Sequence, residues 1–225
     1  MSFLRRVYII AWKDVLLDLH TRENVTTLVF FSALILLVFN FALGPDRELL
    51  AQVSAGVIWL AFLLAGMLAL GRSFLLEREN ECLEGLLLIP VDRSAIYLGK
   101  LGGNLLFMLV AEAILLPLFA VFFNLDLWAA LPRLIPVAVL GTLGFAGLGT
   151  LFSAMAVHVR AREVMLPLLL LPVAVPVILA TIRSTEVILR AGPWAEVAPW
   201  LQLMAGFDVI FLTVGVLVFD FILEQ

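Results

Sequence analysis

Six stretches of this chain reach about 20 mostly apolar residues, the length an α-helix needs to cross ~30 Å of hydrocarbon. They cover 25–43, 53–71, 101–123, 133–157, 164–182 and 203–223. The excess of apolar residues is not confined to one end: 64% of all 225 residues are hydrophobic and 14% are charged. Soluble domains are nearer half apolar. Residues 1–225 therefore read as one polytopic domain: an all-α integral membrane protein with six transmembrane helices. An N-terminal interfacial amphipathic helix precedes the spans, and a charged helix over 72–100 separates the second from the third.

The N-terminal helix is expected over 3–21. Leu4, Val7, Tyr8, Ala11, Val15 and Leu19 recur at three- and four-residue steps, with Arg6 and Lys13 opposite. That pattern suits a helix lying on a membrane; a soluble helix packed on a partner has the same periodicity. It is not read as a cleavable signal, because Lys13, Asp14 and Asp18 interrupt the apolar run that should follow Arg5 and Arg6. Orientation follows from Lys and Arg. With the N-terminus inside, ten of the 14 fall on the inner side, and only Arg47, Arg133, Arg183 and Arg190 on the outer. The bias places both termini in the cytoplasm. A net charge of -4 gives no basic surface for nucleic acid, one cysteine excludes an intrachain disulfide framework, and two histidines leave little for a metal site.

Within the spans, the first stops at Gly44-Pro45. Gly141, Gly144, Gly147 and Gly149 in the fourth allow backbones to approach in lipid, either inside the chain or at a subunit interface. Pro167, Pro172 and Pro176 predict a kinked fifth span. Residues 185–200, interrupted by Pro193 and Pro199, are expected to form a short helix on the outer surface. Glu112 lies within the third span, where it must be paired, protonated or facing a polar interior. A hydrogen bond to a neighbour such as the Thr142 hydroxyl is one account, and a place in a transport or coupling path is the other. Asp208 and Asp220 are placed near span ends, within reach of interfacial water.

The charged pattern is densest from Glu77 to Lys100, on the Lys/Arg-rich side. On a helical wheel Glu77, Glu81 and Glu84 form one narrow stripe. Leu75, Leu76, Cys82, Leu83, Leu86 and Leu87 fall on the other side, with Glu79 inside that apolar arc. Gly85 weakens the helix, Pro90 ends it, and Asp92 can cap the next, with Arg93 beside it. An acidic face turned to a partner and an apolar face kept on the membrane domain would convert the partner's motion into span motion. A solvated surface helix without a partner has the same pattern.

The run from Leu83 to Lys100, L-E-G-L-L-L-I-P-V-D-R-S-A-I-Y-L-G-K, resembles the signature of ABC-2-type exporter permeases. The matching positions are Glu84, Leu86, Leu87, Pro90, Arg93, Gly99 and Lys100, which the resemblance implies belong to a coupling helix docking on an ATPase subunit. More narrowly, nearly the whole chain is similar to the haem exporter protein B (CcmB) family of cytochrome c maturation permeases. That resemblance rests on W-K-D-V-L-L-D-L-H-T-R-E-N (Trp12 to Asn24), F-N-F-A-L (Phe39 to Leu43), P-V-D-R-S-A-I-Y-L-G-K (Pro90 to Lys100), the six-span layout and the proline-rich fifth span. Cys82 stands where the broader pattern commonly has glycine or threonine.

The chain has no G-x-x-x-x-G-K-[ST], so ATP hydrolysis is expected on a separate subunit and this chain is not read as an enzyme. The resemblance implies no cofactor on this chain, with haem as cargo and ATP on the partner. Expected partners are an ABC ATPase subunit, a second copy of the chain, the haem-handling membrane subunits, the haem chaperone, and membrane lipid. Both histidines, His20 and His158, fall on the inner side, and Met204 is the nearest outer-side candidate ligand. The implied function is the permease of an ABC complex in the bacterial cytoplasmic (inner) membrane. It couples ATP hydrolysis either to haem export or to release of a haem-loaded chaperone. A generic ABC-2 permease for lipid, glycan or drug, and a non-transporting scaffold, are the rivals.

Overall fold

The computed structural model describes residues 3–21, 23–44, 47–73, 92–123, 127–156 and 162–222. They form seven helices: α1 (Phe3–Thr21), α2 (Glu23–Leu43), α3 (Arg47–Ser73), α4 (Arg93–Phe123), α5 (Leu127–Ala156), α6 (Arg162–Leu189) and α7 (Trp194–Ile222). Each of the six apolar stretches lies within one of α2 to α7, apart from end residues outside the described ones. Five of these helices, α3 to α7, are long and apolar enough to cross a membrane; the apolar run in α2, Val29–Leu43, is shorter.

The bundle is built around α4 and α5. Helix α5 packs against α3, α4, α6 and α7, and α4 packs against α1, α2, α3, α5 and α7. The glycines of α5 explain how one helix serves four neighbours. Gly141 faces Thr181 of α6 and Trp59 of α3, Gly144 faces Asp208 of α7, Gly147 faces Leu212 of α7, and Gly149 faces Leu70 of α3. All of these contacts lie within the chain. Polar side chains tie the same helices together. Trp59 Nε1 donates to Thr185 Oγ1 at 2.9 Å, joining α3 to α6. Ser153 donates to the Leu70 carbonyl at 2.7 Å, joining α5 to α3. Asn40, from the F-N-F-A-L run of α2, donates to the Phe122 carbonyl at 2.7 Å. That carbonyl belongs to the last turn of α4, where no helical donor remains.

The turn between α6 and α7 differs from the sequence expectation. Residues 185–189 complete α6 instead of starting a separate surface helix, and α7 begins at Trp194. The stop is made by backbone. Gly192 N–H donates to Val187 O at 2.9 Å and Ala191 N–H to Ile188 O at 3.0 Å, the paired bonds of a Schellman cap. Pro193 then precedes the first turn of α7, where its missing donor costs nothing, and Pro199 is absorbed inside the helix. Arg133 of α5 braces the turn, donating to Gly192 O at 3.0 Å with its guanidinium 5.7 Å from the Trp194 ring centroid. Ala191 takes the left-handed position of the cap, at φ 55°. Ala191→Gly removes the Cβ clash there and is expected to stabilise the fold by about 0.5–1 kcal/mol; a higher thermal unfolding midpoint in detergent is the check. Helix α6 runs unbroken through Pro167, Pro172 and Pro176.

Candidate functional site

Helix α4 starts where Asp92 was expected to start it, with Ala95 N–H bonded to the Asp92 carbonyl at 2.8 Å. At 31 residues it is about 46 Å long, well beyond a ~30 Å hydrocarbon layer. Its first turns therefore carry contacts distinct from those of its apolar middle.

On one side, Tyr97 is fully buried, donates to the Gly147 carbonyl of α5 at 3.1 Å, and packs its ring on Phe219 of α7 with centroids 5.3 Å apart. About two turns further on, Asn104 donates to Thr150 of α5 at 2.9 Å. On the other side, α1 lies close against α4. A Cβ on Gly99 would fall 2.6 Å from Ile10 Cβ and 3.2 Å from the Val7 carbonyl, and one on Gly103 would fall 3.0 Å from Asp14 Cβ. Only a residue without a Cβ lets the two helices meet so closely.

Lys100 closes this interface. It is 2% exposed, and its Nζ lies 3.2 Å from Asp14 Oδ2. The approach is ionic, off a hydrogen-bond axis. Asp14 is itself largely buried, and its Oδ1 lies 3.2 Å from Lys13 Nζ. The motif lysine thus faces inward onto α1. The apolar residues of α1 divide between two faces. Ile10 and Ala11 meet α4, whereas Leu4, Tyr8, Ile9, Trp12 and Leu16 are exposed, with Tyr8 and Trp12 stacked at 6.2 Å. The apolar arc expected from the sequence is therefore divided between a face packed on α4 and a face that is exposed among the described residues.

Among the described residues, Glu112 and Asp208 are carboxyls buried within the spans. Glu112 of α4 is 6% exposed, and its Oε2 accepts from the Thr142 hydroxyl at 3.0 Å, the neighbour that the sequence had suggested. It lines an internal pocket with Ser32, Trp59, Phe119 and Thr185, bounded by α2 to α6. Asp208 is placed differently from expectation. It is 3% exposed, seated over Gly144, and neither of its carboxylate oxygens has a hydrogen-bond partner among the described residues. The cause is the early start of α7: with the helix beginning at Trp194, Asp208 falls at mid-helix instead of near an end. A buried carboxyl without a partner contributes desolvation cost and no bond. Asp208→Asn, which keeps the shape, is expected to leave the thermal midpoint unchanged or raised; a clear fall would reveal a partner that the carboxylate requires. Met204, the candidate ligand nearest the outer side in the sequence reading, is fully buried.

Of the sequence-derived coupling residues, Arg93 opens α4 half-exposed and Lys100 is buried. Glu77, Glu81, Glu84, Leu86, Leu87 and Pro90 lie outside the described residues. Sequence reasoning missed Asp14, Tyr97 and Asn104. The first two stand inside the W-K-D and A-I-Y-L-G-K runs, so those motifs did point to them; only their partners were out of sight.

The family described as "CcmB protein" matches residues 5–224. Among curated relatives, "Heme exporter protein B" of Pseudomonas aeruginosa is 31% identical over 179 residues, 80% of this chain and 79% of the relative. Its counterpart in Rhodobacter capsulatus is 32% identical over 183 residues, 80% of each chain. The one in Bradyrhizobium diazoefficiens is 25% identical over 206 residues, 90% of each. With a match that runs almost end to end and helices long enough to cross a bilayer several times, this chain is a multi-pass membrane protein belonging to the CcmB family.

Proposed function

We propose that this chain is the membrane permease subunit of an ABC complex for cytochrome c maturation, driven by ATP hydrolysis on a separate ATPase subunit. The observation that carries the proposal is its similarity, over four-fifths of both lengths, to proteins named "Heme exporter protein B". The helix lengths support six crossings. Helix α2, 21 residues and about 31 Å long, is the first, despite its shorter apolar run. Lys and Arg put both termini and the segment between Ser73 and Arg93 in the cytoplasm of a bacterial inner membrane. The exposed Tyr8, Trp12 and Leu16 face of α1 suits the headgroup boundary.

In this reading, the ATPase grips the acidic stripe of Glu77, Glu81 and Glu84 and the region up to Arg93. It pulls on α3 and α4, which the segment joins. A second copy of the chain completes the permease, and the haem-handling subunits and haem chaperone lie on the outer side. Haem is cargo or is carried on that chaperone; this chain holds no cofactor. The buried position of Met204, the nearest outer-side candidate ligand, favours release of a haem-loaded chaperone over haem passing through this subunit.

Charge reversal at Glu84 and Arg93 together is expected to weaken ATPase co-purification about tenfold while membrane insertion is retained. Unchanged co-purification would remove the docking assignment. ATPase activity indifferent to this chain would favour a scaffold, and haem-independent stimulation by a lipid or glycan would favour a generic exporter.

A further inference from the structure

We infer that α1 and the start of α4 form one rigid joint, set by the buried Asp14–Lys100 pair, so that α1 moves with the coupling segment when the ATPase moves it. The inference deepens the proposed function and rests on that reading of the segment.

Three contacts fix the joint: Ile10 against Gly99, Ala11 against Gly102, and Asp14 against Gly103. On both helices these positions recur at three- and four-residue spacing, so one face of each is engaged over more than a turn. The close approach opposes tilting, because Ile10 and Asp14 have no room to advance on α4. The ion pair opposes sliding. Displacing α1 along α4 would carry Asp14 away from an ammonium that is 2% exposed, leaving a buried charge less well compensated.

Among the described residues α1 packs extensively on α4 and only slightly on α2. Helix α4 in turn follows directly from the segment that would meet the ATPase, so a displacement entering at Arg93 reaches Lys100 within two turns. Asp14 and Lys100 are thus positioning residues that set how α1 follows α4.

The test uses the permease in complex with its ATPase subunit, with Cys82→Ser as background. A Cβ on Gly102 lies 3.4 Å from Ala11 Cβ, close to the separation that a disulfide spans. Ala11→Cys with Gly102→Cys is therefore oxidised across the joint, and permease-stimulated ATP hydrolysis is compared before and after reduction. A rigid joint predicts the same rate in both states. An oxidised rate lower by about tenfold or more, restored by reductant, would mean that α1 and α4 part in each cycle and would overturn the inference. In a second arm, Asp14→Asn is expected to lower stimulation while ATPase co-purification persists, with the exchange Asp14→Lys plus Lys100→Asp restoring it. Full stimulation in Asp14→Asn would show that the pair does not set the joint. If the unaltered complex shows no permease-stimulated hydrolysis at all, the ABC reading itself fails. That result is separable from one in which stimulation is present and only the cross-link abolishes it.

Discussion

Gly99→Leu is expected to unseat α1. The new side chain would enter space held by Ile10 Cβ at 2.6 Å, Ile10 Cγ2 at 2.7 Å and the Val7 carbonyl at 3.2 Å. The first two are a β-branched side chain fixed by its helix and the third is backbone, so none can step aside. Overpacking of this kind costs about 3 kcal/mol, enough to shift the seated fraction of α1 by about two orders of magnitude. The rest of the bundle does not depend on this contact, because Tyr97 and Asn104 anchor α4 to α5 from the opposite side. The expected result is a folded, inserted protein whose residues before α2 are cut rapidly by trypsin at Arg5, Arg6 or Lys13, with permease-dependent ATP hydrolysis largely lost. Unchanged proteolysis would mean that α1 accommodates the side chain. Rapid proteolysis with full hydrolysis would mean that the seating of α1 is irrelevant to coupling.

The second large effect concerns Glu112 and Thr142. Glu112→Gln keeps an oxygen to accept the Thr142 hydroxyl and is expected to leave assembly and coupling intact. Glu112→Leu removes the acceptor and leaves a buried hydroxyl to find another, at a cost of about 1–3 kcal/mol. If the bond is purely structural, adding Thr142→Val should recover most of that loss, because replacing both partners by apolar groups is far cheaper than orphaning one. Thermal unfolding of the two single variants and the double variant gives the coupling energy directly. Recovery of stability without recovery of ATP-driven activity would give the carboxyl a working role beyond holding α4 to α5. Full stability and activity in Glu112→Leu alone would end the case for any polar role.

The extent to which the chain could be read in advance follows from the range of the interactions involved. Apolar runs of membrane length, Asp92 before a helix and glycines at helical spacing are local signals, and they located the six long helices, the start of α4 and the packing face of α5. Thr142 was a reasonable partner for Glu112 because both lie inside apolar spans with few polar neighbours to choose from. The failures involve turns and distant pairs. Pro199 reads as a breaker, yet near a helix start it removes one donor and α7 continues through it. Ala191 gave no sign of a left-handed cap, a role that glycine usually announces. The resulting misplacement of the start of α7 carried Asp208 from a wet end to the buried middle. The Asp14–Lys100 pair was out of sight because its members are 86 residues apart and no local pattern joins them.

The three prolines of α6 carry one more consequence. Each lacks an N–H, so the carbonyls of Glu163, Leu168 and Pro172, four residues back, receive no bond from the helix ladder. A rod with missing rungs bends more softly than a complete one, and these gaps lie close together in the first half of the helix. When the bundle changes shape in the bilayer, α6 is where curvature can develop at the least energetic penalty.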